Sequence, residues 1–581
     1  MYVRTTPRKN KDGSVVRYLQ LAHNVWDPLK KRSRTEVLYN FGREDAESRA
    51  ALERLAGSLS RFLASAPDPQ ARLFAGAGEG FEFLDSRPLG GSYVLDGLWR
   101  RLGIDTVMRR LLKGRRRDPA AERVLFALVA NRALAPSSKL AAARWVTEEA
   151  CVAGLTETSD DACYRAMDWL LEVQPALERE VFHSVASLLS LEVDLVFFDT
   201  TSTYFCTDEA DEPVERDERG RVLALAGDEG EAGGVQEAAR RAGFRSYGRS
   251  KDHRPDLPQV VVGMAVTREG IPVRVWSWPG NTSDSALIRE VKDDLRDWTL
   301  SRIVWVSDRG FASAENRRAL RRGDHDYIMA EKLRRGSAEA RAALARAGRY
   351  AELPGGLRVK EVRVAEGERF VVCHHPESAE RDAAVRARLV ARLSEMIAGT
   401  DKLSPVKRAE LRGAIRTKPG LARFLRTTPG GLLRVDEAAV KAEAKLDGKY
   451  LLRSSDPTLS AADIALGYRQ LYQVERGWRD MKQVLELRPV YHRREDRIRA
   501  HVVLCWLALL LVRVAETTCG ESWPSLRREL EKLKLGSFSG PAGTFRQRTE
   551  ITAAQRAILA RLELAEPPRM QDLAAASSAP S

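Results

Sequence analysis

The sequence is poor in cysteine and histidine, with six and eight among 581 residues. Cys151, Cys163, Cys206, Cys373, Cys505 and Cys519 stand apart with no C-x-x-C pair, which suggests neither a zinc site nor a disulfide framework and fits a reduced compartment. Cys373, His374 and His375 are consecutive; in a strand their side chains alternate faces, so they make no metal site. The N-terminal MYVRTTPRKNKDGSVV lacks the apolar core of a secretory signal. The longest apolar run, Val502 to Val512, falls short of the roughly 20 residues that cross a bilayer and reads as a buried helix. The expectation is a cytoplasmic protein with no membrane partner.

Charge is what the chain has in excess. Its 95 Lys and Arg against 81 Asp and Glu leave +14, which favours a polyanionic partner. The length suggests two to four domains. Residues 1–45 alternate apolar and polar in short pieces, a β segment; Lys30, Lys31, Arg32 and Arg34 fall in one of its turns, where a solvated loop is the commoner explanation. Residues 46–190 change to a helical period. Within them Arg115, Arg116 and Arg117 belong to a basic cluster between two short helices, a reasonable DNA-docking element.

From residue 191 to 332 strand and helix alternate. The apolar run Leu195 to Phe198 ends in Asp199, a buried strand delivering a carboxylate at its end. Residues 206–243 form an acidic, Gly-rich interlude. QVVVGMAVT and IPVRVWSWPG then make a hairpin, and DSALIREVKDDLRDW a helix with Asp284 as its cap. A second buried run, Ile303 to Val306, ends in Asp308, and DYIMAEKL supplies a strand with Lys332 at its end facing the same site. Capping explains either aspartate alone; it explains the pair poorly. The order of elements is that of an α/β fold with a ribonuclease H-like core, a mixed sheet with helices on both faces.

The segment Ser460 to His492 carries the third carboxylate. Ser460 and Asp463 mark a capped helix start. Tyr468, Glu475 and Lys482 follow at seven-residue steps, which on one helix keeps them in one stripe with about 20° of drift per step. These residues resemble the Y-x2-R-x3-E-x6-K signature of DDE transposases of bacterial insertion sequences, in the cut-and-paste subgroup. Leu471 stands where the family has arginine, leaving Arg469, Arg476 or Arg479 to substitute. DTTSTYF, SKDHRPDLPQV, WVSDRGF and YQVERGWRDMK carry the resemblance over residues 191–332 and 455–500.

The resemblance implies that Asp199 bridges two Mg²⁺ ions, or Mn²⁺ in their place, with Asp308 and Glu475 holding one each. Two such ions can activate the attacking oxygen and neutralise the leaving one. Tyr468, Lys482, Arg476, Arg479, Lys332, Arg115, Arg116 and Arg117 are the candidates for contacting DNA. The partners implied are terminal inverted repeats and target DNA, bound by a homodimer in a synaptic complex in the bacterial nucleoid, with cut-and-paste movement through a hairpin. Residues 46–190 would bind the ends, 191–332 and 456–518 form the catalytic core, and 333–455 form a β-rich insertion without the tryptophan that the family places there. Residues 519–581 read as a helical region with a disordered tail. A structure-specific nuclease on the same core, and a DNA-binding protein without catalysis, are the alternatives.

Overall fold

The protein is described by a computed structural model over residues 2–10, 12–27, 32–64, 82–113, 118–189, 194–207, 209–216, 222, 240–298, 303–334, 336–365, 368–540 and 543–575. Strands β1 (Tyr2–Lys9), β2 (Val15–Asp27) and β3 (Arg32–Arg43) form an antiparallel meander. Helix α1 (Ala46–Ala64) and strand β4 (Glu82–Pro88) follow. Then come α2 (Gly90–Arg101), α3 (Ile104–Leu112), α4 (Ala121–Leu134), α5 (Lys139–Arg144) and α6 (Asp160–Leu188). Ser138 and Ser159 start α5 and α6 by accepting from the N–H groups of Ala141 and Ala162, groups a helix start leaves without internal partners.

The next interval builds the large sheet. It runs β5 (Leu195–Tyr204), β6 (Val214–Arg216), β7 (Arg240–Ala242), β8 (Gln259–Val266), β9 (Pro272–Pro279), α7 (Asp284–Leu295), β10 (Val304–Ser307), α8 (Ala314–Leu320) and β11 (Asp326–Glu331). The following interval contains α9 (Ala338–Ala345), β12 (Ala351–Glu352), β13 (Arg358–Ala365), β14 (Glu368–His374), α10 (Pro376–Ile397), α11 (Pro405–Arg416), α12 (Pro419–Ala422), β15 (Leu425–Thr427), β16 (Leu433–Val435), α13 (Glu437–Ala444) and β17 (Lys449–Ser454). Nine strands pair in the order β12-β13-β14-β17-β11-β10-β5-β8-β9. Strands β5, β10 and β11 are parallel neighbours, and the others join antiparallel. Residues 333–455 are thus more helical than the β-rich insertion expected. Their long charged helices carry a small core of their own around Leu393, Ile415, Leu421 and Phe424, and four of their strands extend the main sheet.

The chain closes with α14 (Ala461–Arg469), α15 (Tyr472–Gln483), α16 (Glu495–Cys519), α17 (Trp523–Leu530), β18 (Lys534–Gly540), β19 (Gly543–Arg548), α18 (Ala553–Arg561) and β20 (Met570–Ala575). The C-terminal region is therefore not simply helical: β18, β19 and β20 pair with β4 in a four-stranded sheet. Phe538 of β18 stacks on Phe545 at 5.0 Å and meets Tyr39 of β3 edge-on at 5.3 Å, which ties the two ends of the chain together. Residues 576–581, the end of the expected tail, lie outside the described residues.

Helix α16 is the pillar of the fold. It is long and apolar enough to cross a membrane by composition, yet every residue from Val502 to Glu516 is buried, among α4, α6 and β9. Alternation along β5 divides the core: Leu195 and Phe197 join the cluster around α16, whereas Val196 and Phe198 join the cluster under α7. Two expectations fail here. Strand β5 does not end at Asp199; it runs to Tyr204, because Thr200, Thr201 and Thr203 are β-branched and the ladder to β8 continues to the Tyr204–Gln259 pair. Nor do Tyr468 and Glu475 share one helix. Between α14 and α15 the N–H groups of Gln470, Leu471, Gln473 and Val474 each bond three residues back, to Gly467, Tyr468, Gln470 and Leu471, a tightened turn that redirects the chain.

Candidate active site

In β5 and β10 the register pairs Val304 with Leu195 and continues in step to Ser307 with Phe198. One further step sets Asp308 opposite Asp199, on strands about 4.8 Å apart. By alternation Asp199 shares its face with Leu195 and Phe197, and Asp308 shares its face with Val304 and Val306, all in the cluster that packs beneath α14 and α15. Both aspartates therefore face the helices that carry Tyr468 and Glu475. The Tyr468 hydroxyl donates to Asp308 Oδ1 at 3.1 Å, and burial together with that carboxylate pushes the phenol pKa far up, so it stays a donor.

Burial pushes the Asp199 carboxyl up to about 6; Lys251 opposes the shift, and the carboxylates of Asp308 and Asp284 add to it. Lys251 comes from the loop before β8. Its ammonium lies 3.1 Å from Asp284 and 3.8 Å from Asp199, and donates to the Thr200 carbonyl at 2.6 Å. Asp284 is thus not the cap of α7, a position that Ser283 holds, but a carboxylate in its first turn aimed at Lys251. The spacing gave no hint of this, because a helix-start aspartate reads as a cap whatever else it touches.

Lys482, at the end of α15, donates to Thr201 Oγ1 at 2.8 Å and to Asp252 Oδ1 at 2.9 Å. Burial lowers its pKa, and Asp252 works against that. Asp252 also pairs with Arg488 at 3.0 Å. Lys251 and Asp252, adjacent in SKDHRPD, therefore brace the two sides of the centre, and neither was among the residues expected to act.

Glu475 lies in the first turn of α15 and is exposed. Among the described residues no three or more His, Cys, Asp or Glu side chains are grouped closely enough to hold a metal ion. Leu471 is buried with 8% exposed and packs in the core, so the arginine of the Y-R-E-K signature has no counterpart there. Arg476 does not take its place: it pairs with Glu516 at 2.7 Å, in a network with Arg513 and Asp480. Arg479 is exposed, and so is Lys332, one residue past β11 at the end of the sheet where Asp308 lies. Arg115, Arg116 and Arg117 lie outside the described residues, as do Lys30 and Lys31.

Residues 3–70 match the model of the IS1634 family transposase N-terminal domain, and residues 237–511 match that of the transposase DDE domain. The second match contains Asp308 and Glu475 and leaves Asp199 outside it. No curated protein matches the chain. Among solved structures the piggyBac transposase synaptic complex with hairpin DNA is similar at 13% identity and a TM-score of 0.33, over 76% of this chain and 77% of that one, a likeness too slight to fix a fold.

Proposed function

Since the chain belongs to the DDE transposases of insertion sequences, we propose that its metal-dependent chemistry is centred on Asp199 and Asp308, with Glu475 as the third carboxylate. The observation that carries this is the register that sets the two aspartates side by side beneath α14 and α15. The sheet order β9-β8-β5-β10-β11, a hairpin against three parallel strands, speaks for a ribonuclease H-like core. Residues 46–190 would then be the end-binding region, 191–332 and 456–518 the core, and 333–455 an insertion between them.

The donor set fits a hard cation. Carboxylate oxygens suit Mg²⁺, and the Lys251 ammonium already sits among the carboxylates of Asp199 and Asp284 and the Thr200 carbonyl. Asp199 and Asp308 would hold metal between them, and Glu475 would join from α15. Two Mg²⁺ ions, when bound, supply an activated oxygen nucleophile and charge neutralisation for the leaving oxygen. The protein's own groups do the rest. Tyr468 orients Asp308 through its hydroxyl, Lys482 and Arg488 place positive charge where a DNA phosphate would lie, and Lys332 and Arg479 offer exposed cations around it. The DNA would be the element's terminal inverted repeats and the target, held by a homodimer in the bacterial nucleoid.

The test is Mg²⁺-dependent cleavage of a plasmid carrying the element's flanking ends, with the wild type beside Asp199→Ala, Asp308→Ala and Glu475→Ala. Cutting by the wild type, and binding without cutting by all three variants, supports the assignment. A Glu475→Ala variant that cuts normally would remove Glu475 from it, and cutting by all three would make the carboxylates structural.

A further inference from the structure

A second charged interior borders the segment that follows α15. Arg132, near the end of α4, and Lys139, the first residue of α5, are each only 3% exposed, although such residues are almost never fully buried unless paired. Arg132 donates to the Glu486 carbonyl at 3.2 Å, and its Nε has no partner. Lys139 has neither an ion pair nor a hydrogen bond among the described residues.

Two histidines complete the cluster. His501 of α16, also 3% exposed, stands with its ring 5.6 Å from that of His492. His501 Nε2 lies 3.2 Å from the Leu487 carbonyl, and its Nδ1 has no partner. Tyr164 of α6 packs edge-on against His492 at 6.0 Å, and the Cys505 Sγ lies 3.8 Å from His501 Nε2. The carboxylates that bear on these groups are Glu486, which favours the charge on Arg132 but is exposed, and Asp496, which favours the charge on His492 but is paired with Arg494. Neither forms an ion pair with Arg132 or Lys139 among the described residues. Burial and mutual repulsion lower the pKa of Lys139 to about 7 and that of His492 to about 3, as expected of buried basic groups brought together with no ion-paired carboxylate.

We propose that this cluster is a binding site for a phosphate group, with Lys139 and Arg132 as its charged donors and the two imidazoles beside them. Two buried cations with no ion-paired carboxylate suit an oxyanion and repel a metal ion. The segment passing over the cluster exposes Tyr491, Arg493 and Arg494, so the phosphate can come from a DNA backbone or from free inorganic phosphate. The site is independent of which carboxylates act in cleavage.

The experiment compares the full chain with Lys139→Met and, should that variant fold poorly, Lys139→Gln. Thermal unfolding at pH 7 is followed in sodium phosphate and in sodium chloride of matched ionic strength. Binding of a duplex oligonucleotide carrying the element's end is measured over a range of salt. Expected are a phosphate-induced rise in Tm that the variant loses, and a variant no less stable than the wild type in chloride, because an unpaired buried charge has gone. If a DNA phosphate enters the site, the slope of log K against log salt also falls by about one in the variant. Loss of the Tm effect without a change of slope assigns the site to free phosphate, and a change of slope without a Tm effect assigns it to DNA. If the variant keeps the wild type's response to phosphate, or neither responds, and the salt slope is unchanged, the proposal is overturned.

Discussion

Two charged interiors of opposite sign border one stretch of chain, and they are built by opposite rules. At the carboxylate centre the protein supplies the counter-charges itself: Lys251 lies against Asp199 and Asp284, and Asp252 holds Lys482 and Arg488. At the Arg132–Lys139 cluster no carboxylate forms an ion pair with either cation among the described residues, and the nearest, Glu486, is exposed. A compensated site is stable when empty, and its ligands must compete with internal partners. An uncompensated one stays costly until an ion arrives. Removing a counter-charge such as Asp252 should therefore destabilise the first, and removing a cation such as Lys139 should stabilise the second.

The largest effect expected is on catalysis. Asp199→Asn should lower Mg²⁺-dependent cleavage by about a thousandfold, because several kcal/mol of transition-state stabilisation go with a metal ligand and each 1.36 kcal/mol is tenfold in rate. Single-turnover cleavage of end-bearing DNA reads this, and an unimpaired variant would reduce the carboxylate centre to a structural ion network. Next is Asp252→Ala, which leaves Lys482 and Arg488 without their ion-pair partner in a mostly buried setting, at a cost of about 3 kcal/mol in urea unfolding. Adding Lys482→Met should recover part of that loss, and strict additivity would show that the pair is not coupled.

The pH dependence sharpens the contrast, since the two sites slope in opposite directions. Asp199 has its folded pKa raised to about 6, so its contribution is fully present below the ordinary carboxylate range and is lost as pH rises through 6. In chelator at pH 7.5, Asp199→Asn should be more stable than wild type by about 2 kcal/mol, with the gain gone near pH 4. Lys139 has its folded pKa lowered to about 7, so the unfolded chain binds the extra proton between pH 7 and 10.5, and stability rises over that window. Lys139→Met should flatten that rise. Denaturation curves across pH 4–10 check both, and slopes of the same sign would erase the distinction.

Local patterns in the sequence made part of this legible. The apolar run closed by Asp308, the β8–β9 hairpin and the Ser460–Asp463 capping box each show within a few residues, and each stands as read. What escaped depends on partners far along the chain. β5 continues past Asp199 because β8 pairs with it, and Asp284 is turned to account by a lysine 33 residues before it. The C-terminal strands form because β4, some 450 residues earlier, is there to receive them. The seven-residue spacing from Tyr468 to Lys482 suggests one straight stripe, yet a buried Leu471 and a tightened turn divide it. Arg132 and Lys139 drew no attention, because a charge in a sequence reads as solvated unless a partner is in view.

The smallest effect tests how tightly the carboxylate centre depends on helix placement. A Cβ at Gly477 would meet the Met264 Cε at 2.6 Å, so α15 lies directly on β8 at this point. Gly477→Ala must move that contact, but the obstacle is the end of a flexible thioether, and overpacking of this kind costs about 1 kcal/mol. The displacement falls between Glu475 and Lys482, whose Thr201 and Asp252 contacts at 2.8 and 2.9 Å leave little slack. Cleavage should fall by less than about tenfold, in line with a loss near that size. The response to phosphate at Lys139 should not change, because α15 does not carry that cluster. A variant that weakened both responses equally would mean that α15 and the segment after it move as one body, and the two interiors would then be coupled.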